Sequence, residues 1–158
     1  MRCIDAMRKE ADNKTAIETP APAVGCLVSA AAQSMLGALT RALTEADVPL
    51  TAPEYLVMRA IYSRDGLQQC EIAELTGKDK ATICRCVASL ARKGLVRTEQ
   101  VSHKCLRVYV AQEGRRIERD VMRVAAERHA ALQSLLAPGE MSTFKAILSR
   151  IIATHRQS

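Results

Sequence analysis

The sequence has few aromatic residues: no Trp, one Phe (Phe144) and three Tyr, 3% of its 158 residues. A core without aromatics is filled by aliphatic and Ala-rich helix packing, so the composition favours an α-rich protein. No run of about eighteen uninterrupted apolar residues is present, and Met1–Thr19 lacks the apolar centre of a signal peptide. The chain is therefore expected in the cytoplasm, without a membrane partner. Its six cysteines, at 3, 26, 70, 84, 86 and 105, are then expected as reduced thiols, and their spacing fits no secreted disulfide framework. Phosphate-binding Gly-rich loops, a metalloprotease-type histidine pair and a nucleophile-elbow serine are all missing. His129 and His155 have no paired carboxylates or cysteines nearby in sequence. No catalytic residue and no cofactor are expected, and an enzyme is not indicated.

What is present is enough apolar material for one sizeable core, 48% of the residues, together with a net charge of +6. The charge is concentrated. Lys78, Lys80, Arg85, Arg92, Lys93, Arg97, Lys104 and Arg107 face only Asp79 and Glu99 in the same stretch, which leaves the rest of the chain neutral. Such a basic window is the electrostatic footprint of a polyanionic partner.

Residues 1–22 are polar and end in Thr-Pro-Ala-Pro, which reads as a flexible arm, with 23–158 as one domain. From Ala23 to Glu45 apolar residues (Val24, Leu27, Val28, Ala31, Met35, Leu39, Ala42) recur at three and four, predicting a first amphipathic helix. Thr51 with Glu54 makes a capping box, and Leu50 with Tyr55 a hydrophobic staple, opening a second helix that ends near Arg64. A short third helix, about Gln68–Leu75, should turn Ile72 and Leu75 inward. Thr76-Gly77-Lys78 supplies the turn, and Asp79 caps a fourth helix, Lys80–Arg92. That helix should bury Ile83, Cys86, Val87 and Leu90. Leu95–Val101 and Leu106–Val110 then read as two strands around a cationic tip, Ser102-His103-Lys104. Two helices follow, one carrying Ile117, Val121 and Val124, the last carrying Met141, Phe144, Ile147, Leu148, Ile151 and Ile152. The fold class is thus mainly α with a small β-hairpin wing: a winged helix-turn-helix over about 50–112, flanked by dimerisation helices at about 23–47 and 113–156.

The physical logic of that order is direct. A B-DNA major groove admits one helix, whose side chains meet base edges, while a basic hairpin tip reaches adjacent sugar and phosphate. Ile72-Ala73-Glu74-Leu75-Thr76-Gly77-Lys78-Asp79-Lys80-Ala81-Thr82-Ile83, followed by Leu90-Ala91-Arg92-Lys93-Gly94-Leu95-Val96, resembles the MarR family of bacterial regulators. The resemblance runs over roughly 24–155. It implies a homodimer on a pseudo-palindromic operator in double-stranded DNA, a repressor role, and a small-molecule effector between the dimer helices and the winged module. It also places Lys80, Thr82, Cys84, Arg85 and Ser89 on the DNA-facing side of the recognition helix. Arg85 is the base-reading candidate, since a guanidinium bridges guanine O6 and N7. Lys78, Lys93, His103, Lys104 and Arg107 complete the expected DNA-binding set. The sequence departs from the family at the wing tip, where His103-Lys104-Cys105 stands in place of an Asp-Arg-Arg-like element, and at Cys84, where a small hydroxyl residue is usual.

Two further readings concern sulfur. Cys84-x-Cys86 and His103-x-Cys105 supply four soft ligand types, but residues two apart on a helix point about 200° from each other, so no metal is expected. Cys26 lies where the peroxide-sensing branch of the same family has a reactive cysteine, although the tyrosines of that branch are not evident. Cys26 and Cys84 are the redox candidates, which makes a thiol-based sensor one alternative and an architectural DNA binder another.

Overall fold

The computed structural model describes residues 23–102 and 105–155. The proposed arm (1–22), His103 and Lys104 at the wing tip, and residues 156–158 lie outside the described residues. Six helices and a three-stranded antiparallel sheet follow in the order α1 (Val24–Glu45), α2 (Ala52–Ser63), β1 (Leu67–Gln68), α3 (Gln69–Thr76), α4 (Lys80–Arg92), β2 (Val96–Ser102), β3 (Cys105–Val110), α5 (Gln112–Gln133) and α6 (Glu140–His155). Two compact units divide within α1, between Ser34 and Met35.

In the first unit, Val24, Leu27 and Val28 of α1 are exposed. In the second, α1 contributes Leu39 and Leu43 to the core, with Leu36 half-buried against it. The anticipated stripe is shifted, because Met35 is exposed and the buried edge runs through Leu36, Leu39 and Leu43. By length and composition alone α1 is apolar enough to cross a membrane. Scattered Ser and Gln residues interrupt its apolar run without adding charge between Ala23 and Thr40.

α2 starts as its sequence dictates. Thr51 caps it in a complete box: the Thr51 amide donates to Glu54 Oε2 at 2.8 Å, and the Glu54 amide donates to Thr51 Oγ1 at 3.4 Å. Both staple residues, Leu50 and Tyr55, are buried. Val57, Met58 and Ile61 then pack with Ile72 of α3, Ile83 and Leu90 of α4, Val108 of β3, and Val121 and Val124 of α5 in one aliphatic core. Full burial of each such side chain contributes about 1.5–3 kcal/mol.

Leu75 corrects the reading of α3, being 61% exposed. The inward side of this two-turn helix runs through Ile72, with Ala73 packed beside it and Thr76 half-buried one turn on, and Leu75 falls outside it. The residue four further on is Thr76, whose hydroxyl returns to the Ile72 carbonyl at 2.7 Å. β1 was not legible as a strand, since two residues carry no alternation. It exists through its partner, pairing Leu67 with Val108 and Gln68 with Arg107 in the order β1-β3-β2. β2 and β3 pair from Val96 opposite Val110 to Ser102 opposite Cys105, with an irregularity between Gln100 and Ser102.

Gly114 fixes how α5 meets this sheet. A Cβ there would overlap the Leu95 carbonyl and come within 2.9 Å of Val110 Cγ1. The bare backbone allows the first turn of α5 to close on the β2 entrance, and Tyr62 donates to the Gly114 carbonyl at 2.7 Å. Burial, with Glu118 nearby, pushes the Tyr62 hydroxyl above its ordinary pKa, so it acts as a donor.

Candidate nucleic-acid interface

The turn between α3 and α4 is built on Gly77, whose φ of 65° is the left-handed conformation that closes a helix without a Cβ penalty. Two residues later Asp79 caps α4. Its Oδ1 accepts from the Thr82 amide at 2.8 Å and its Oδ2 from the Thr82 hydroxyl at 2.6 Å. These bonds, with Arg85 nearby, hold the Asp79 carboxyl below the usual carboxylate range. The relay continues outward, since Arg85 Nη2 donates to Thr82 Oγ1 at 3.0 Å. Arg85 is thus exposed yet aligned along the first turn of α4, and a guanidinium with five N–H donors has others to offer a base or phosphate.

The buried stripe of α4 is the expected one: Ile83, Cys86, Val87 and Leu90. Lys80, Arg85 and Arg92 are exposed, and Lys78 and Thr82 are half-buried. Lys80 lines a cavity of about 450 Å³ with Gln68, Gln69, Cys70, Gln100, Cys105 and Leu106, where the starts of α3 and α4 meet the hairpin. This is the part of the anticipated DNA-facing set that the fold gathers on one side.

Four residues of that set are engaged elsewhere. Lys93 Nζ donates to Glu54 Oε2 at 2.7 Å, Glu54 Oε1 at 2.9 Å and the Pro49 carbonyl at 2.9 Å, so its ammonium is paired with the start of α2. The half-buried Ser89 lies close enough to Glu54 to help hold its carboxyl ionised. Glu54 is only 3% exposed. Burial raises its pKa, but the bonds from Lys93, Thr51 and Ser89 outweigh this and hold the carboxyl below its ordinary value. Arg107 Nη1 donates to the Gly66 carbonyl at 2.8 Å, tying β3 to the loop before β1. Cys84 is turned toward α3, its Sγ donating to Gln69 Oε1 at 3.1 Å. The reason is common to all four: residues flanking the buried stripe of α4, or on a central strand, are within reach of acceptors on neighbouring elements. Arg97 lies over the Tyr109 ring at 4.2 Å, a cation–π contact that steadies the hairpin.

Cys26 is exposed and lies in the first unit. Cys86 is buried, and burial together with Glu54 pushes its thiol above the ordinary value. Among the described residues no group of three or more His, Cys, Asp and Glu could hold a metal ion.

Sequence reasoning missed two parts of this region. Glu54 was legible as a capping residue but not as the anchor of the C-terminal end of α4. Gln69 and Cys70, which open α3 beside Lys80, carried no signal because β1 was unseen.

A second concave region lies away from α4. Leu56, Arg59, Tyr62, Leu75, Glu118 and Met122 are among the residues lining a cavity of about 380 Å³, and Arg59 and Met122 also line a neighbouring one of about 450 Å³ with Tyr55 and His129. Arg59 Nη1 donates to the Tyr55 hydroxyl at 3.2 Å. The exposed Leu75 belongs to this wall.

A short helix, a Gly turn, a capped second helix with a basic outer side and an antiparallel hairpin define the molecule as a winged helix-turn-helix protein. Residues 48–104 match the model of the MarR family, and the winged module is of MarR type. The transcriptional regulator HosA of Escherichia coli O157:H7 is 37% identical over 70 residues, which are 43% of this chain and 52% of HosA. The chain therefore spans about half the length of the curated relatives it matches. Among solved structures, Staphylococcus aureus MepR in complex with DNA superposes with a TM-score of 0.75 at 19% identity, over 85% of this chain and 98% of MepR. Bordetella bronchiseptica BpsR, whose DNA binding is regulated by 6-hydroxynicotinic acid, superposes with a TM-score of 0.72 at 21% identity, over 82% and 93%. These structures share the fold.

Proposed function

We propose that this chain is a transcriptional regulator, not an enzyme, that binds double-stranded DNA with α4 as its recognition helix. The observation that carries the reading is the two-sided character of α4: an aliphatic stripe locked into the core and an exposed side bearing Lys80, Arg85 and Arg92, with the hairpin adjacent. The MarR-type sequence of residues 48–104 and the likeness to a fold solved with DNA support it. Lys80 and Arg85 are the contacts we assign first. Lys78 and Thr82 are neighbours, and His103 and Lys104, outside the described residues, are kept in the set on the family resemblance.

The working form is a homodimer on a two-fold site, with residues 23–158 as one regulator. Apolar side chains left exposed support this: Met35 on α1 in the second unit, and Ile147, Ile151 and Ile152 on α6. An apolar helix face of this kind calls for a partner surface. A repressor role is what the MarR resemblance implies, a small-molecule effector follows by analogy with BpsR, and the cavity walled by Arg59, Tyr62, Leu75 and Met122 is where we place the effector. Mobility shift with duplex DNA from the region upstream of its own coding sequence, combined with light scattering, tests both parts. Specific retardation by a dimer is expected. Equal retardation of random DNA would instead make it an architectural binder, and a monomer with full affinity would remove the two-fold site.

A further inference from the structure

Three thiols lie around the start of α3, and two of them share a cavity. Cys70, in the first turn of α3, and Cys105, the first residue of β3, both line the space of about 450 Å³ that also holds Lys80, Gln69 and Gln100. Their juxtaposition follows from strand register. β1 pairs Leu67 with Val108 and Gln68 with Arg107, and an antiparallel ladder continued by two residues brings Cys70 opposite Cys105. The chain leaves the strand at Gln69 to enter α3, so the ladder stops short and the two cysteines line one cavity instead of pairing as strand neighbours, the Cys70 thiol donating to Gln68 Oε1 at 3.6 Å. β2 is irregular between Gln100 and Ser102, beside the Ser102–Cys105 pair, and this is where a hairpin bends most readily.

We propose that Cys70 and Cys105 form a redox-active dithiol that closes to an intramolecular disulfide on exposure to a hydroperoxide. Cys70 is the more exposed of the two and reacts first. Its thiol ionises, the thiolate sulfur bonds to the terminal oxygen of ROOH as the O–O bond breaks, and the released proton goes to the departing alkoxide, giving Cys–S–OH and ROH. The Cys105 thiolate then attacks the sulfenic sulfur, the S–S bond forms as the S–O bond breaks, and water leaves. The two thiols are oxidised by two electrons in all, and the hydroperoxide is reduced. Closure needs the two Cα atoms within the usual disulfide span of about 4.4–6.8 Å, so the base of the hairpin must move toward α3. Lys80 lines the same cavity, and the disulfide would therefore re-space the hairpin against the N-terminal end of α4.

The neighbouring cysteines separate this site from the alternatives. Neither Cys84 nor Cys86 lines this cavity, and Cys86 is buried. Cys26 is exposed but lies in the other unit.

The test uses the full chain, treated with a small molar excess of hydrogen peroxide, then alkylated without reductant and digested for peptide mass mapping. The expected result is one dominant cross-linked peptide pair joining Cys70 to Cys105, reversed by dithiothreitol and absent in both Cys70→Ser and Cys105→Ser, while Cys86 stays reduced. A Cys70–Cys84 link, a link between two chains, or Cys70 and Cys105 both still alkylated would each overturn the proposal. The readout is chemical, so it stands or falls independently of DNA binding. Retardation of operator DNA is the second readout: oxidation should weaken it at least ten-fold in the wild type and leave it unchanged in Cys105→Ser. Full affinity in a protein already shown to carry the cross-link would overturn the regulatory consequence alone.

Discussion

Lys93→Ala is the substitution for which sequence and structure give opposite expectations. As a lysine at the end of a recognition helix it reads as a phosphate contact, whose loss leaves stability within about 0.5 kcal/mol. The structure gives it three acceptors, two of them oxygens of a carboxylate that is only 3% exposed. Removing one partner of a fully buried pair costs about 3–5 kcal/mol. The Lys93 side chain is 34% exposed, and Glu54 keeps its bonds from Thr51 and Ser89, so the cost here is about 2–3 kcal/mol. For a chain of this size that is a fall in melting temperature of roughly 4–12 °C. The pH dependence has a definite sign. In the wild type the Glu54 carboxyl is held below its ordinary value despite burial, so its contribution is complete above the ordinary carboxylate pKa and is lost as pH falls through the lowered one. Without Lys93 the burial effect meets less opposition, the carboxyl moves upward, and acid destabilisation begins at a higher pH. Urea denaturation followed by circular dichroism between about pH 3 and 8 measures both quantities. A variant with wild-type stability and an unchanged acid limb, but a DNA-binding salt slope reduced by about one, would refute the assignment and return Lys93 to the phosphate backbone.

Three other outcomes are expected. Gly114→Ala places a methyl against the Leu95 carbonyl and should destabilise by about 2 kcal/mol or more, seen as a lower urea midpoint; a neutral result would mean that α5 shifts freely on the sheet. Asp79→Ala removes the cap of α4 and the acceptor that aligns Thr82 and Arg85, costing about 1 kcal/mol of stability, with Asp79→Asn recovering most of it in the same denaturation assay. Duplex DNA binding should fall steeply with salt, and Lys80→Ala should flatten the slope of log affinity against log salt by about one, whereas an unchanged slope would assign Lys80 to solvent.

The elements legible in the sequence were those with several turns of pattern or a cap at a fixed spacing. Thr51 with Glu54, Gly77 before Asp79, and the Ile83, Cys86, Val87, Leu90 stripe are local signals, and each formed as its spacing dictates. What was not legible depended on distant partners. β1 exists because β3 is beside it, and Leu75 is exposed because the core meets α3 along Ile72 and Ala73. Some residues of the expected DNA-facing set have intramolecular partners that the sequence did not show, for the same reason. A helical wheel assigns Ser89 and Cys84 to the polar side, but it cannot see that Glu54 and Gln69, 35 and 15 residues away in sequence, claim their donors.

Quantitative binding of the wild type and Arg85→Ala to two duplexes, one from the region upstream of the chain's own coding sequence and one scrambled, at a fixed near-physiological salt concentration, tests the central claim most directly. If α4 reads base edges, the wild type prefers the upstream duplex by roughly 10³-fold or more, and Arg85→Ala loses about 1–3 kcal/mol of that preference while keeping most of its affinity for the scrambled duplex. Equal affinity of the wild type for both duplexes, or an equal loss on both in Arg85→Ala, would contradict a base-reading role for this helix.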